Sequence, residues 1–280
     1  MKEIEVRLIK NKKSGFTLLE MAVVMAIMGI LLMGLVSPFS AQKESENISR
    51  TDKQLNEIKD AIMGFLRAQG RLPCPAFPTI NPALSGRENV GANTCLNAAN
   101  QVFQHGFVPG NTLGLKGTYN ADGLLLDPWN NPYRYSITRS NGNGGGKWDF
   151  IDIAEMRAVG INNLLTNNPI LVCAVASPNA VDCNAPAGNS PIVSAIPLVF
   201  FSMGKNWENL TSPNQLENAG ETGANIASTA TALTYPIATD DTFASSVRSG
   251  ANPNTTFDDL VYWISPNEIY SALYQAGQLP

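Results

Sequence analysis

A chain of 280 residues with 44% apolar and 15% charged content has ample material for a hydrophobic core. Its formal net charge of -4, with no basic stripe, argues against nucleic-acid binding, which needs clustered Lys and Arg. Four cysteines without a C-x-x-C spacing and a single histidine weigh against structural zinc.

The amino terminus opens with Lys2, Arg7, Lys10, Lys12 and Lys13 against Glu3 and Glu5, five positive and two negative charges, a balance of +3. An apolar run then extends to Phe39, interrupted by one charge, Glu20. Residues 16–39 form a candidate transmembrane helix, because about 24 residues rising about 1.5 Å each reach roughly 36 Å, against a hydrocarbon core of roughly 30 Å. The basic flank stays cytoplasmic, so everything after the helix should lie outside. A secretory signal fits poorly: cleavage after Ala41 or Ser40 would leave Phe39 or Pro38 at the small-residue position. A carboxylate in a lipid-facing helix is costly and persists where it has a partner. If the chain were cut between Gly15 and Phe16, the new amine would lie one helical turn from Glu20, or within reach of a neighbouring copy's Glu20.

The helix is predicted to continue to Arg67. Ile48, Leu55, Ile58, Ile62, Phe65 and Leu66 form a one-sided stripe, opposed by Lys53, Glu57, Lys59 and Asp60. Residues 40–70 are therefore an amphipathic continuation, ended by Gly70, Pro73 and Pro75. Gly34 and Pro38 allow a kink.

Residues 71–280 form a loop-rich, β-containing head. Strands are predicted at Tyr133 to Thr138, Ile170 to Ala176 and Ile196 to Phe201. Helices are predicted over Ile151 to Leu165 and Pro266 to Ala276. Asn141 to Gly146 reads as a glycine-rich turn, and Glu217 to Thr242 as a long surface loop. Cys74, Cys95, Cys173 and Cys183 fall in the part expected outside, where disulfides form. Three connectivities exist for four cysteines, and the simplest joins Cys74 to Cys95 and Cys173 to Cys183.

No catalytic constellation stands out. Ser202-Met-Gly-Lys205 formally fits S-x-x-K, but it follows an apolar strand, contains Gly204 and lacks a downstream K-T-G. His105 sits in a glycine-rich stretch without an obvious acidic or nucleophilic partner.

The junction reads G-F-T-L-L-E from Gly15 to Glu20. It resembles the type IV pilin and type II secretion pseudopilin superfamily, whose precursors carry G-F-T-L-x-E ahead of an apolar helix. The resemblance implies removal of the leader, residues 1–15, by prepilin peptidase and methylation of the Phe16 amine. It also implies a single-pass protein of the bacterial inner membrane with a periplasmic head. Such a subunit passes through an inner-membrane assembly platform into a helical filament with other pilins or pseudopilins. Glu20 would pair there with a Phe16 amine. The implied fold is α+β, a long amino-terminal helix packed on a loop-rich antiparallel β-sheet head.

Asp127 to Tyr135, D-P-W-N-N-P-Y-R-Y, is similar to the D-P-W-G-N-P-Y-x-Y segment of major pseudopilins, with Asn130 at the glycine. Phe201 to Asn206 and Phe257 to Ser265 resemble pieces that flank a calcium-holding loop in those heads. By that resemblance Ser202, Asn206, Glu217, Asp258 and Asp259 are candidate calcium ligands, all oxygen donors suited to a hard cation. The expected role is that of a non-enzymatic minor pilin or pseudopilin. The alternative is a membrane-anchored ligand-binding protein or adhesin acting through the loop from Glu217 to Thr242.

Overall fold

The computed structural model describes residues 15–92, 94–97, 99–160, 163–165, 167, 169–177, 182–184, 188–207, 210, 212–219, 241–246 and 257–279, with the side chains of 32–40 outside the description. The expected leader lies outside the described residues except for Gly15. The chain forms two units, Met1–Ile48 and Ser49–Pro280.

One helix, α1 (Leu18–Gln69, 52 residues), matches the predicted helix within two residues at each end and is helical through Gly34 and Pro38. In the first unit its side chains from Leu18 to Leu31 are exposed, with Leu18 and Leu19 at 92% and 74%. Among the described residues no helix is long and apolar enough to cross a membrane. The predicted span, 16–39, includes residues 32–39, whose side chains lie outside the description, and the described apolar part from Leu18 to Leu31 rises only roughly 21 Å.

In the second unit, Leu55, Ile58, Ile62 and Leu66 are all buried. Their spacing keeps them on one face of α1, as the apolar stripe predicts. The helix stops at Gly70, whose φ of 69° sits in the left-handed region and whose N–H donates to the Leu66 carbonyl at 2.8 Å.

The central sheet is antiparallel, in the order β1 (His105–Phe107), β4 (Arg134–Ile137), β7 (Leu198–Ser202), β9 (Leu260–Ile264). Two tyrosines tie it to the helix side: Tyr133 donates to Gln54 Oε1 at 2.9 Å, and Tyr135 to the Pro73 carbonyl at 2.8 Å. A two-stranded ribbon, β2 (Thr118–Tyr119) with β3 (Leu125–Leu126), follows the short helix α2 (Gly110–Leu113).

A second sheet, β6 (Pro191–Ile196), β5 (Ile170–Cys173) and β8 (Thr242–Ala244), completes the strands. Ile170, Val172, Ile196, Val199, Phe201 and Phe243 form a core shared by the two sheets. The expected antiparallel pairing is present in both sheets, and the second sheet adds one parallel pair, β5 with β8. A parallel pair needs a crossover, and here the chain passes through β6, β7 and α4 (Pro213–Asn218) before returning.

Two further predictions are adjusted. The strand predicted from Ile196 to Phe201 is two strands split at Pro197, which has no N–H for a ladder; its carbonyl accepts from Thr138 N at 2.8 Å. The helix predicted over Ile151 to Leu165 is a 3-10 turn (Asp149–Ile151) and a short α3 (Ile153–Val159). Asp152 caps α3 by accepting from Ala154 and Glu155 N–H, and Gly160, at φ 74°, ends it. The final helix, α5 (Pro266–Gln275), starts in a Ser265–Glu268 capping box, and Glu268 also meets Lys59 of α1 at 2.5 Å.

Both disulfides of the simplest pairing are present, Cys74–Cys95 and Cys173–Cys183. Residues 220–240 of the predicted surface loop lie outside the described residues, but its ends are core rather than surface: Glu217 and Thr242 are buried.

Candidate functional site

The amino-terminal site is built by the first turn of α1. Gly15, Phe16 and Thr17 precede the helix without regular structure, and Phe16 is 79% exposed, so the Gly15–Phe16 bond is open to solvent. A Cβ at Gly15 would meet nothing within 4 Å. The neighbouring residues form a capping box. The Thr17 N–H and hydroxyl both donate to Glu20 Oε2, at 2.8 and 2.9 Å, while Glu20 N–H donates to Thr17 Oγ1 at 3.2 Å. This arrangement satisfies orphan donors at the helix start and holds the Glu20 carboxylate beside the Phe16–Thr17 peptide. Thr17 was not singled out from the sequence, although T-x-x-E ahead of an apolar run is a readable capping signal.

Each of the five candidate calcium ligands has hydrogen-bond partners, and Asn206 and Asp258 share Gln215. Ser202 donates to Asp127 Oδ2 at 2.5 Å. Asp258 accepts from the backbone N–H of Lys205 and Asn206 and from Gln215 Nε2. The Asn206 side chain lies against Gln215. Asp259 accepts from Asn218 Nδ2 at 2.7 Å, and Glu217 from the Thr242 hydroxyl at 2.7 Å. Among the described residues no three acidic, histidine or cysteine side chains group as a metal-holding set. In this arrangement the carboxylates clamp strands and turns. The clamping partners Gln215 and Asn218 are distant in sequence from the groups they bind, so no local pattern announces them.

Burial governs the electrostatics of these groups. The Asp127 carboxyl is pushed up to about 6, mainly by desolvation, against hydrogen bonds from Ser202, Asn131 and Trp129. Asp259 is pushed up to about 8 by complete burial, which the Asn218 amide and the Arg134 charge only partly offset. Asp127 organises the D-P-W-N-N-P-Y turn by accepting from the Trp129 and Asn131 N–H, both at 2.9 Å. Asn130 takes φ 66°, the left-handed conformation that glycine or asparagine tolerates best.

The S-x-x-K reading loses its chemistry in this setting. The Ser202 hydroxyl is spent on Asp127 and also accepts from Gly204 N–H, and Gly204 at φ 68° turns the chain away from helix. His105 is buried, with Nδ1 2.9 Å from the Ser136 hydroxyl. A cleft of about 430 Å³ opens between the helix and the Asp127 turn, lined by Arg50, Lys53, Gln54 and Glu57 on one side and Pro128 and Asn130 on the other.

Residues 10–36 match the model of the prokaryotic N-terminal methylation motif. The chain is also 51% identical over 45 residues to the prepilin peptidase-dependent protein A of Clostridium perfringens (strain 13 / Type A). That similarity covers 16% of this chain and 31% of the relative, so the chain spans about a third of the length of the curated relative it matches. No solved structure matches.

Proposed function

We propose, from the premise that this is a type IV pilin-like chain, that it is a non-enzymatic subunit of a pilus or secretion pseudopilus. Prepilin peptidase cleaves between Gly15 and Phe16, the new Phe16 amine is methylated, and the subunit waits in the membrane on its apolar helix. It then enters a filament, where Glu20 pairs with a Phe16 amine and the head supplies surface specificity. Of the two systems, the D-P-W-N-N-P-Y turn favours the pseudopilus, and the size of the head favours a minor component.

The observation that carries this reading is the exposed Gly15–Phe16 bond set directly against a helix whose first turn holds Glu20. The exposed apolar side chains from Leu18 to Leu31 support it, because such a surface is covered by lipid or by other helices. Intact mass and amino-terminal sequence of the native membrane protein test it, with and without prepilin peptidase. The expected product begins at Phe16, about one methyl heavier, and only when the peptidase is present. A chain still beginning at Met1 in the presence of the peptidase would discard the filament reading.

A further inference from the structure

The turn from Asn141 to Gly146 holds the chain's two Asn-Gly dipeptides, Asn141–Gly142 and Asn143–Gly144. At such a pair an asparagine side chain can lose its amide without an enzyme, because glycine has no Cβ to keep its backbone nitrogen away from the preceding side-chain carbonyl carbon. Two conditions decide whether a folded chain allows this. The glycine N–H must be able to give up its proton, and the asparagine side chain must have room to swing onto the nitrogen.

The first dipeptide meets neither condition. Gly142 N–H donates to both carboxylate oxygens of the buried Asp149, at 3.0 and 3.1 Å, and the Ser140 hydroxyl fixes that acceptor by donating to Asp149 Oδ2 at 2.8 Å. A carboxylate beside an N–H opposes the negative charge that deprotonation would create. A Cβ at Gly142 would lie 2.4 Å from Val159 Cγ1, so the backbone is packed against the end of α3, and Asn141 Oδ1 is shut off from solvent. The second dipeptide differs on each count. Asn143 and Gly144 are exposed, a Cβ at Gly144 would meet nothing within 4 Å, and Gly144 N–H donates to the Asn141 carbonyl at 3.3 Å, a long contact to a neutral acceptor. Asn143 Nδ2 donates to Glu155 Oε1 at 2.7 Å, but this contact is exposed and water can replace it at small net cost.

We propose that Asn143 is a site of spontaneous deamidation in the folded protein, while Asn141, two residues away, is protected. The Gly144 nitrogen gives its proton to solvent base and attacks Asn143 Cγ. The new N–Cγ bond forms, the Cγ–Nδ2 bond breaks, and the departing nitrogen takes a proton from solvent and leaves as ammonia. Water then opens the succinimide ring at either carbonyl, giving aspartate or isoaspartate. One water is consumed, one ammonia is released, and nothing is oxidised or reduced. The product puts an acidic group where Asn143 Nδ2 had donated to Glu155, so a link between the turn and α3 becomes a repulsion.

The test incubates the full-length chain, native in detergent, in mildly alkaline buffer beside a sample unfolded in guanidinium with its disulfides reduced. Trypsin then releases Ser140 to Lys147 as one peptide carrying both dipeptides. Digestion in heavy-oxygen water separates earlier conversion from conversion during digestion, and fragment masses assign the gain of about one dalton to Asn141 or Asn143. In the native chain Asn143 is expected to convert several-fold faster than Asn141, with part of the product accepting a methyl group from a protein isoaspartyl methyltransferase. In the unfolded chain the two rates should draw together. Equal rates in the native chain, faster conversion at Asn141, or conversion confined to the unfolded sample overturns the proposal. Asn143→Gln keeps an amide donor but lengthens the side chain, and its native peptide should lose the methyl-accepting product. Persistence of that product in the variant also overturns the proposal.

Discussion

Asp259 is the residue at which burial and charge conflict most. Its carboxyl, ordinarily near 3.8, is pushed up to about 8 because it is enclosed while ionisation demands water. The folded protein therefore holds a proton that the unfolded chain has already released. A raised acid of this kind stabilises the fold at low pH and loses that contribution as pH rises through the window from about 4 to about 8. Asp127, pushed up to about 6, adds in the same sense over the lower part of the window. The expected outcome is a melting temperature that falls as pH rises from 4 to 8, and a shallower fall in Asp259→Asn, which keeps an oxygen for the Asn218 amide. An unchanged pH slope in that variant, measured by thermal unfolding, would assign the dependence to other groups.

At the scale of elements, the two disulfides close stretches of 21 and 10 residues in parts of the head with little regular structure. Loop-closure entropy assigns each about 3 kcal/mol, with the longer loop worth slightly more. Chemical denaturation of the Cys74→Ser/Cys95→Ser and Cys173→Ser/Cys183→Ser pairs should show losses of that order, larger in the first. The elements themselves were unevenly legible. The stripe of Leu55, Ile58, Ile62 and Leu66 is strongly periodic and long, so α1 could be read to within two residues at each end. The final helix was likewise read from its first residue, Pro266, where a Ser265–Glu268 box caps it. Pro197, Asp152 and Gly160 each carried a break that the apolar content around them obscured. The parallel pairing of β5 with β8 joins residues some seventy positions apart, and no local signal encodes such a partner. The same holds for the clamps at Asp258 and Asp259: two adjacent carboxylates look like cation ligands in sequence, and only the fold brings Gln215 and Asn218 against them.

For the whole molecule, the decisive feature is the division of labour between its ends. The proposed removal of the +3 leader would change the formal charge from -4 to -7, so the processed subunit would be acidic and association between copies would have to overcome mutual repulsion. In the proposed filament, specific opposite-charge contacts rather than net charge would have to favour association. In the precursor, Glu20 is already occupied by Thr17, and a Phe16 amine offers a charged partner in place of two neutral donors. Glu20→Ala is expected to leave membrane insertion and cleavage intact while depleting the chain from sheared filaments. Quantitative immunoblotting of membrane and filament fractions checks this, and equal incorporation would mean the apolar helix alone sets assembly.

The buried clamp between α4 and β8 has a different consequence. The Asn218 side chain exchanges two hydrogen bonds with the Ala244 backbone, and Thr242 bonds Glu217, so the chain leaves and re-enters the core at nearly one place. The entropy of closing the connection between those points grows slowly with its length, about 0.6 kcal/mol per doubling. Ala219 and Asp241 therefore bound a port at which added sequence carries little thermodynamic cost. Through such a port a lineage could vary what the subunit displays without rebuilding what holds it together.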